Sequence, residues 1–469
     1  MAARLSLLRR IAYALGAPGF QITDRIVVAI AIFYYLPPGD SDLVPQVSQA
    51  TFLGVLTAFG AARLLGGVVD SLADPLVGWA SDRSQSRLGR RRVYLIAGIG
   101  PMVLTPVLLF FPPGPPGSLA NFAWLTAMLA VYYVFFTAYV APYLALMPEI
   151  APEERERVAL STLLAVAGVV IVGLYASLWL AGVEAGRRWL GLDTEQSLRL
   201  VVVVSSVAAF VLCLGPIVAV DERRLARTAP SLSMRDALVA TLRNRPFLIY
   251  LAAQILFVFG ITLMGPMGPY YALAVAGRDE GFAAVLALVP GPGVFLGLWA
   301  VGRISERFGP KRTLVACAAV LGLLFAVQGL LLPDAPGGPH DRRNLTILFG
   351  IGALWGLPAA GFMVLPHVVL GQLIDLDAAR TGAHRAAMYF GAQGLLTKWV
   401  YGGATALLSW LFVTFGNSSA RPTGVLLVGP IAGALCLASG IAYAFYPERK
   451  VLAARAALEA GATGLAPRG

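Results

Sequence analysis

The sequence predicts an all-α membrane protein with twelve transmembrane helices arranged as two six-helix bundles. Three observations lead there. Apolar residues make up 58% of the chain, charged residues only 13%, and the mean hydropathy is +0.75, whereas a soluble domain carries about a quarter charged residues. The apolar residues gather into windows long enough to cross roughly 30 Å of hydrocarbon. The second half of the chain also repeats landmarks of the first.

In chain order, the windows fall at about 11–36, 46–80, 93–111, 120–147, 158–182 and 198–220. The N-terminal stretch MAARLSLLRRIAYALGAPGF has an apolar run that outlasts a signal peptide and no small-residue cleavage site, so it reads as the start of the first span. The pattern then breaks at 221–245, DERRLARTAPSLSMRDALVATLRNR, a polar basic connector containing Pro230. Six more windows follow at about 246–276, 281–305, 313–332, 344–373, 385–415 and 422–446. The expected organisation is an N-terminal bundle over 1–220, a cytoplasmic connector over 221–245, a C-terminal bundle over 246–446 and a cytoplasmic tail over 447–469.

The basic residues set the expected orientation. With the N-terminus inside, the segments on its side hold 26 Lys and Arg against seven on the other. Because Lys and Arg concentrate in cytoplasmic loops, both termini are expected in the cytoplasm of a multi-pass cell-membrane protein, of the bacterial inner-membrane kind. The net charge of +11 does not mark a nucleic-acid binder, because the basic residues sit in short loops between apolar spans rather than on one solvated face. Cys213, Cys317 and Cys436 lie inside apolar windows with no metal-ligand spacing. Phosphate-binding glycine loops and His–Cys clusters are also absent, so neither an enzyme nor a cofactor or metal site is expected. Membrane lipid and a small-molecule substrate are the expected partners of a monomer.

The repeat has one offset. Gly78-x-x-x-Asp82-Arg83, followed by Gly89-Arg90-Arg91, recurs as Gly302-x-x-x-Glu306-Arg307, followed by Gly309-Pro310-Lys311-Arg312, with its start displaced by 224 residues. Pro142, ahead of Pro148-Glu149-Ile150, is echoed at the same distance by Pro366, ahead of Leu373-Ile374-Asp375. Parallel repeats joined by a basic connector fit a transporter that holds its substrate between two bundles near the midplane.

The charges inside spans identify the candidate site. Asp70 and Asp74 stand four residues apart, so on a helix they project from one face, with Arg63 about two turns earlier on the same stripe. A carboxylate near the bilayer centre costs roughly 2.5–3.5 kcal/mol, so this pair must face a partner, an ion or water. Lys398 lies in a later span between Gly394 and Gly402 and needs a carboxylate; Asp24, Asp70 and Asp74 are the deep acids available. A structural reading stands beside the functional one: the aspartates could neutralise Arg63 and Lys398 and so hold the bundles together. Asp24 and Arg25 could likewise be an internal pair or a snorkelling arginine. His367 reads as a packing residue ahead of a proton-linked one, and the cluster Tyr132, Tyr133, Phe135, Phe136 as core ahead of a stacking surface.

These residues also carry a resemblance. The loop GWASDRSQSRLGRRR and its echo GRISERFGPKR resemble the signature of the major facilitator superfamily. The longer DSLADPLVGWASDRSQSRLGRRR, with PYLALMPEIAPEERER and GQLIDLDAARTGAHRAAMYFGAQGLLTKWVYGG, is similar to the melibiose permease-like glycoside/pentoside/hexuronide cation symporters over the whole chain. The resemblance implies the major facilitator fold, with Asp70, Asp74 and Thr137 binding the coupling cation and Lys398 and Gln393 reaching the sugar region.

The departures also matter. Phe20-Gln21 stands where the family places a Lys-Asp pair on the sugar, Val140 replaces a further helix-four aspartate, and the fifth span, 158–182, has no charge where the family has an arginine. Gln21 and Asp24, a turn further along, are therefore the substrate-binding candidates on the first span, Arg63 being a charge partner. The expected activity is cation-coupled symport, with H+ favoured over Na+, of a small polar solute of the sugar or glycoside class by alternating access. An amphiphilic cargo such as a lysophospholipid or drug-like compound is the alternative, and a non-transporting membrane scaffold is a third reading.

Overall fold

The computed structural model describes residues 6–52, 54, 56–150, 154–220, 244–381, 386–451 and 453. The connector, apart from residues 244–245, and the tail beyond residue 453 lie outside the described residues. Described helices in chain order are α1 (Leu7–Tyr35), α2 (Ala58–Arg83), α3 (Arg92–Leu109), α4 (Leu119–Ile150), α5 (Glu154–Leu190) and α6 (Thr194–Ala219). They continue with α7 (Arg245–Met264), α8 (Glu280–Phe308), α9 (Pro310–Leu330), α10 (Asp341–Thr381), α11 (Ala386–Phe415) and α12 (Thr423–Ala444). Between α7 and α8 lie a short helix, Met267–Tyr270, and a π-helical turn, Tyr271–Val275. Apart from a two-stranded hairpin, β1 (Thr51–Phe52) with β2 (Leu56–Thr57), the described secondary structure is helical.

Nine of the described helices are long and apolar enough to cross a membrane. Outside that group is α2, which carries Arg63, Asp70 and Asp74. Helices of the first half of the chain pack on one another, chiefly α3 and α2 on α4, α1 and α3 on α6, and α5 on α6 and α1. The second half repeats these pairings six helices on, with α9 and α8 on α10, α7 and α9 on α12, and α11 on α12 and α7. The halves meet along α2–α11 and α5–α8. The repeat is visible in the backbone too, although the loop is four residues shorter in the second half: Gly89 (φ 112°) and Gly309 (φ 87°) both take the left-handed conformation just before the following helix starts. A side chain there would be strained.

Two expected boundaries move. Residues 46–57 are not part of the second span: the chain there carries Pro45 and Gly54 (φ 72°), forms the hairpin, and enters α2 only at Thr57, whose hydroxyl caps the helix by accepting from Gly60 N at 3.0 Å. Polar turn chemistry wins there over average hydropathy. At the other ends helices overrun their apolar windows, α5 to Leu190 and α10 to Thr381, because helix hydrogen bonding continues into the interface. The helix α1 is interrupted by a π-helical turn at Ile26–Ile30, immediately after Asp24 and Arg25; such turns gather at functional sites.

With no hydrophobic drive between helices in lipid, tight packing requires small residues at the contacts. The α9–α12 contact shows this: a Cβ on Gly433 would stand 2.5 Å from the Gly322 carbonyl oxygen, and one on Gly322 2.6 Å from Leu437. Gly322→Leu should therefore cost about 1–3 kcal/mol or more, seen as a lower melting temperature in detergent. Gly350→Leu, where an added Cβ meets nothing within 4 Å, should melt as the parent does; equal losses in the two variants would contradict this packing account.

Candidate functional site

At the α2–α11 seam, one lysine faces two carboxylates. Lys398 Nζ lies 2.7 Å from Asp70 Oδ1 and 2.7 Å from Asp74 Oδ2. A single ammonium reaches both because positions one turn apart on α2 share a face. The side chain of Asp70 is 8% exposed, that of Lys398 21% and that of Asp74 42%, so the cluster has a buried side and an exposed side. The hydroxyl of Thr137, buried on α4, lies 3.2 Å from Asp70 Oδ1 and 3.1 Å from Asp74 Oδ1. A hydroxyl has one hydrogen, so at any moment it donates to one carboxylate and offers only lone pairs to the other. Two carboxylates against one ammonium leave the group one positive charge short.

Arg63 does not supply that charge. Expected as a partner of the aspartates, its buried guanidinium instead donates to the Tyr133 hydroxyl at 2.7 Å and lies 5.8 Å from that ring's centroid. Two helical turns separate it from Asp70 by roughly 10 Å of axial rise, beyond easy reach, and α4 brings Tyr133 closer. Asp24 makes no hydrogen bond or ion pair among the described residues and lies in the electrostatic reach of Arg25, Arg63 and Lys398.

The two glutamines are held elsewhere. Gln21 lies over Gly168 of α5, where a Cβ would come within 2.9 Å of its Nε2; Gln393 accepts from the Tyr250 hydroxyl of α7 at 3.0 Å. Tyr132 and Tyr133 are core residues, the former with its hydroxyl 3.2 Å from Thr23 Oγ1, and His367 stacks near Phe390 at 6.5 Å. Of the expected site residues, Asp70, Asp74, Thr137 and Lys398 are in mutual contact. Tyr133, which the sequence marks as core ahead of a stacking surface, anchors Arg63.

A second set of polar contacts joins the halves at the end of the helices next to residues 36–57. Tyr270 donates to the Leu36 carbonyl at 2.6 Å, Asn417 to Pro37 O at 2.8 Å and Ser419 Oγ to Asp40 at 2.6 Å. Arg187 of α5 pairs with the buried Glu280 of α8 at 2.8 Å, and Ser177 donates to the Ala284 carbonyl at 2.7 Å. The hydroxyls of Thr57 and Ser409 also meet there. None of these partners lies near another in sequence, which is why loop composition gave no sign of the closure.

Paired helical halves with a charged cluster on their seam define a membrane transporter rather than an enzyme, and known proteins similar to this chain agree. The family described as MFS/sugar transport protein matches residues 12–447, and the chain belongs to that family. The inner membrane symporter YicJ of Escherichia coli is 26% identical over 430 residues, covering 89% of this chain and 85% of that protein. The isoprimeverose transporter of Lactiplantibacillus pentosus is 23% identical over 403 residues, covering 83% and 75%. Among solved structures, the nucleoside transporter NupG superposes with a TM-score of 0.61 at 11% identity over 93% of this chain and 98% of its own, a likeness of fold.

Removing Lys398 strands two carboxylates, one of them buried, whereas removing Asp74 leaves the Lys398–Asp70 pair intact. Lys398→Met should thus cost about 3 kcal/mol, the low end for breaking a buried pair because Asp74 is only partly buried, and Asp74→Asn distinctly less. Melting of the two variants in detergent at neutral pH checks the order; a Lys398→Met protein at least as stable as Asp74→Asn would show that the bridge is not what holds the seam.

Proposed function

We propose that the chain is a cation-coupled symporter of a small polar solute, of the sugar or glycoside class, working by alternating access between two bundles of six membrane helices with both termini cytoplasmic and acting as a monomer. The observation that carries this reading is the bridge itself: two carboxylates share one lysine across the seam, one positive charge short of neutrality. A cation taken up between Asp70, Asp74 and Thr137 supplies the missing charge and loosens the hold of Lys398 on α2. Lys398 is then free to turn toward a solute between the halves. By linkage each ligand strengthens the binding of the other, and without both the closed contacts stay favoured. The contacts of Tyr270, Asn417 and Glu280 support a state shut at one end, as alternating access requires.

A proton suits the cluster better than sodium. Hard cations seek several fixed oxygens, and Val140, where the related symporters place an acid, contributes none. A single proton needs only one carboxylate oxygen, and it also meets the need left by the Thr137 hydroxyl, whose one hydrogen cannot serve both carboxylates. The relatives named as an isoprimeverose transporter and an inner membrane symporter support the sugar class and the coupling. Asp24, without a hydrogen-bonding partner, is the acid of α1 available to solute hydroxyls, and Gln21 and Gln393 are assigned to the surrounding wall.

Asp70→Asn mimics the loaded state. In proteoliposomes it should abolish accumulation of a radiolabelled pentoside under an inward proton gradient while leaving its exchange measurable. Uptake that requires sodium at constant pH and ignores collapse of the proton gradient would replace the proton with sodium. Uptake of a lysophospholipid with no glycoside transported would replace the solute class.

Glu280→Gln together with Asp40→Asn should loosen the closed end. The expected sign is faster maleimide labelling of a cysteine placed at Gly281 in the unliganded protein, by several-fold over the same cysteine alone. An unchanged labelling rate would remove these contacts from the gate.

A further inference from the structure

The surface between α9 and α12 holds a groove of about 330 Å³ that belongs neither to the seam nor to the closed end. Lys311 and Arg312 stand at its mouth, and Val315, Ala316, Ala319 and Ala444 form the rest of the lining. Both helices are among those apolar enough to span a membrane, and their outward side chains flank the groove: Ile441 is 63% and Phe445 72% exposed, with Val320 and Leu323 further along α9. Such a face meets acyl chains. The alanines leave a furrow between these larger residues.

The mouth has the opposite character. Among the described residues neither the Lys311 nor the Arg312 side chain makes a hydrogen bond or an ion pair. Glu448, the carboxylate nearby, is engaged by the Lys311 backbone N–H at 3.0 Å. Two uncommitted cations therefore flank an apolar furrow where helix α9 begins. Basic recesses between membrane helices attract lipid headgroups with net negative charge, and the acyl chain adds burial that a free anion cannot provide.

We propose that this groove binds an anionic phospholipid, with its phosphate-bearing headgroup on Lys311 and Arg312 and an acyl chain along Ala316, Ala319 and Ala444. A zwitterionic lipid would gain little at the mouth, because its own ammonium offsets the attraction. A soluble anion would gain nothing from the furrow. The site is independent of the transport reading and stands or falls apart from it.

Native mass spectrometry of the full chain released from detergent, after incubation with phosphatidylglycerol or with phosphatidylcholine, tests the assignment. The parent should retain phosphatidylglycerol in preference. Lys311→Gln with Arg312→Gln should retain roughly thirtyfold less, as expected when two cations near the headgroup are lost. Ala316→Leu with Ala444→Leu fills the furrow at two exposed positions without changing charge and should lose the lipid as well. Arg449→Gln with Lys450→Gln removes the same charge outside the groove and should retain it. Equal retention of phosphatidylcholine, displacement by inorganic phosphate, or loss in the Arg449 and Lys450 variant equal to that in the Lys311 and Arg312 variant would each overturn the proposal. So would undiminished binding in both groove variants.

Discussion

The contact between Lys398 and the carboxylates of Asp70 and Asp74 is the constraint around which the rest of the molecule is arranged. Three ionisable groups inside an apolar protein are tolerable only if each has a partner, and here the partners come from opposite halves of the chain. The polar requirement of α2 thus becomes a tie between α2 and α11. With Arg63, Asp70 and Asp74 along it, α2 falls outside the group of described helices apolar enough to cross a membrane.

Elsewhere the structure separates rigid packing from breakable packing. Within each half, close approaches of glycine backbones, as at Gly322 and Gly433, leave no slack for sliding. Between the halves, the closed end relies on hydroxyls, amides and two arginine–carboxylate pairs, Arg187–Glu280 and Arg188–Asp279, contacts of modest net worth that water can replace. In the proposed alternating access, two stiff units joined by exchangeable polar contacts rock without repacking; the π-helical turn in α1 lies just beyond Asp24 and Arg25, on the way to that end.

The departures from the related symporters converge on the same region. Phe20 and Val140 are partly buried against the apolar core where those symporters carry charge, and Gln21 fits against a glycine of α5. The neighbourhood of the seam is therefore less charged than its relatives' motifs imply, with Asp24 as the acid left on α1. In the proposed symport, specificity rests on few groups, and Asp24 carries more of it than either glutamine.

Composition and periodicity by themselves determined that the chain is helical, membrane-embedded and doubled, because a bilayer forces long apolar windows and a repeat leaves its glycines and basic loops in the same order at nearly the same offset. They also determined that Asp70 and Asp74 share a face, which follows from helix geometry alone. Where the second helix begins was not determined, since a hairpin at residues 51–57 is as apolar as a span. Only the tertiary structure decided that Lys398 takes both aspartates, that Arg63 turns to Tyr133, and that Asn417 and Ser419 meet Pro37 and Asp40. Those choices depend on which helices become neighbours and at what height, and one-dimensional spacing carries no record of a partner more than three hundred residues away.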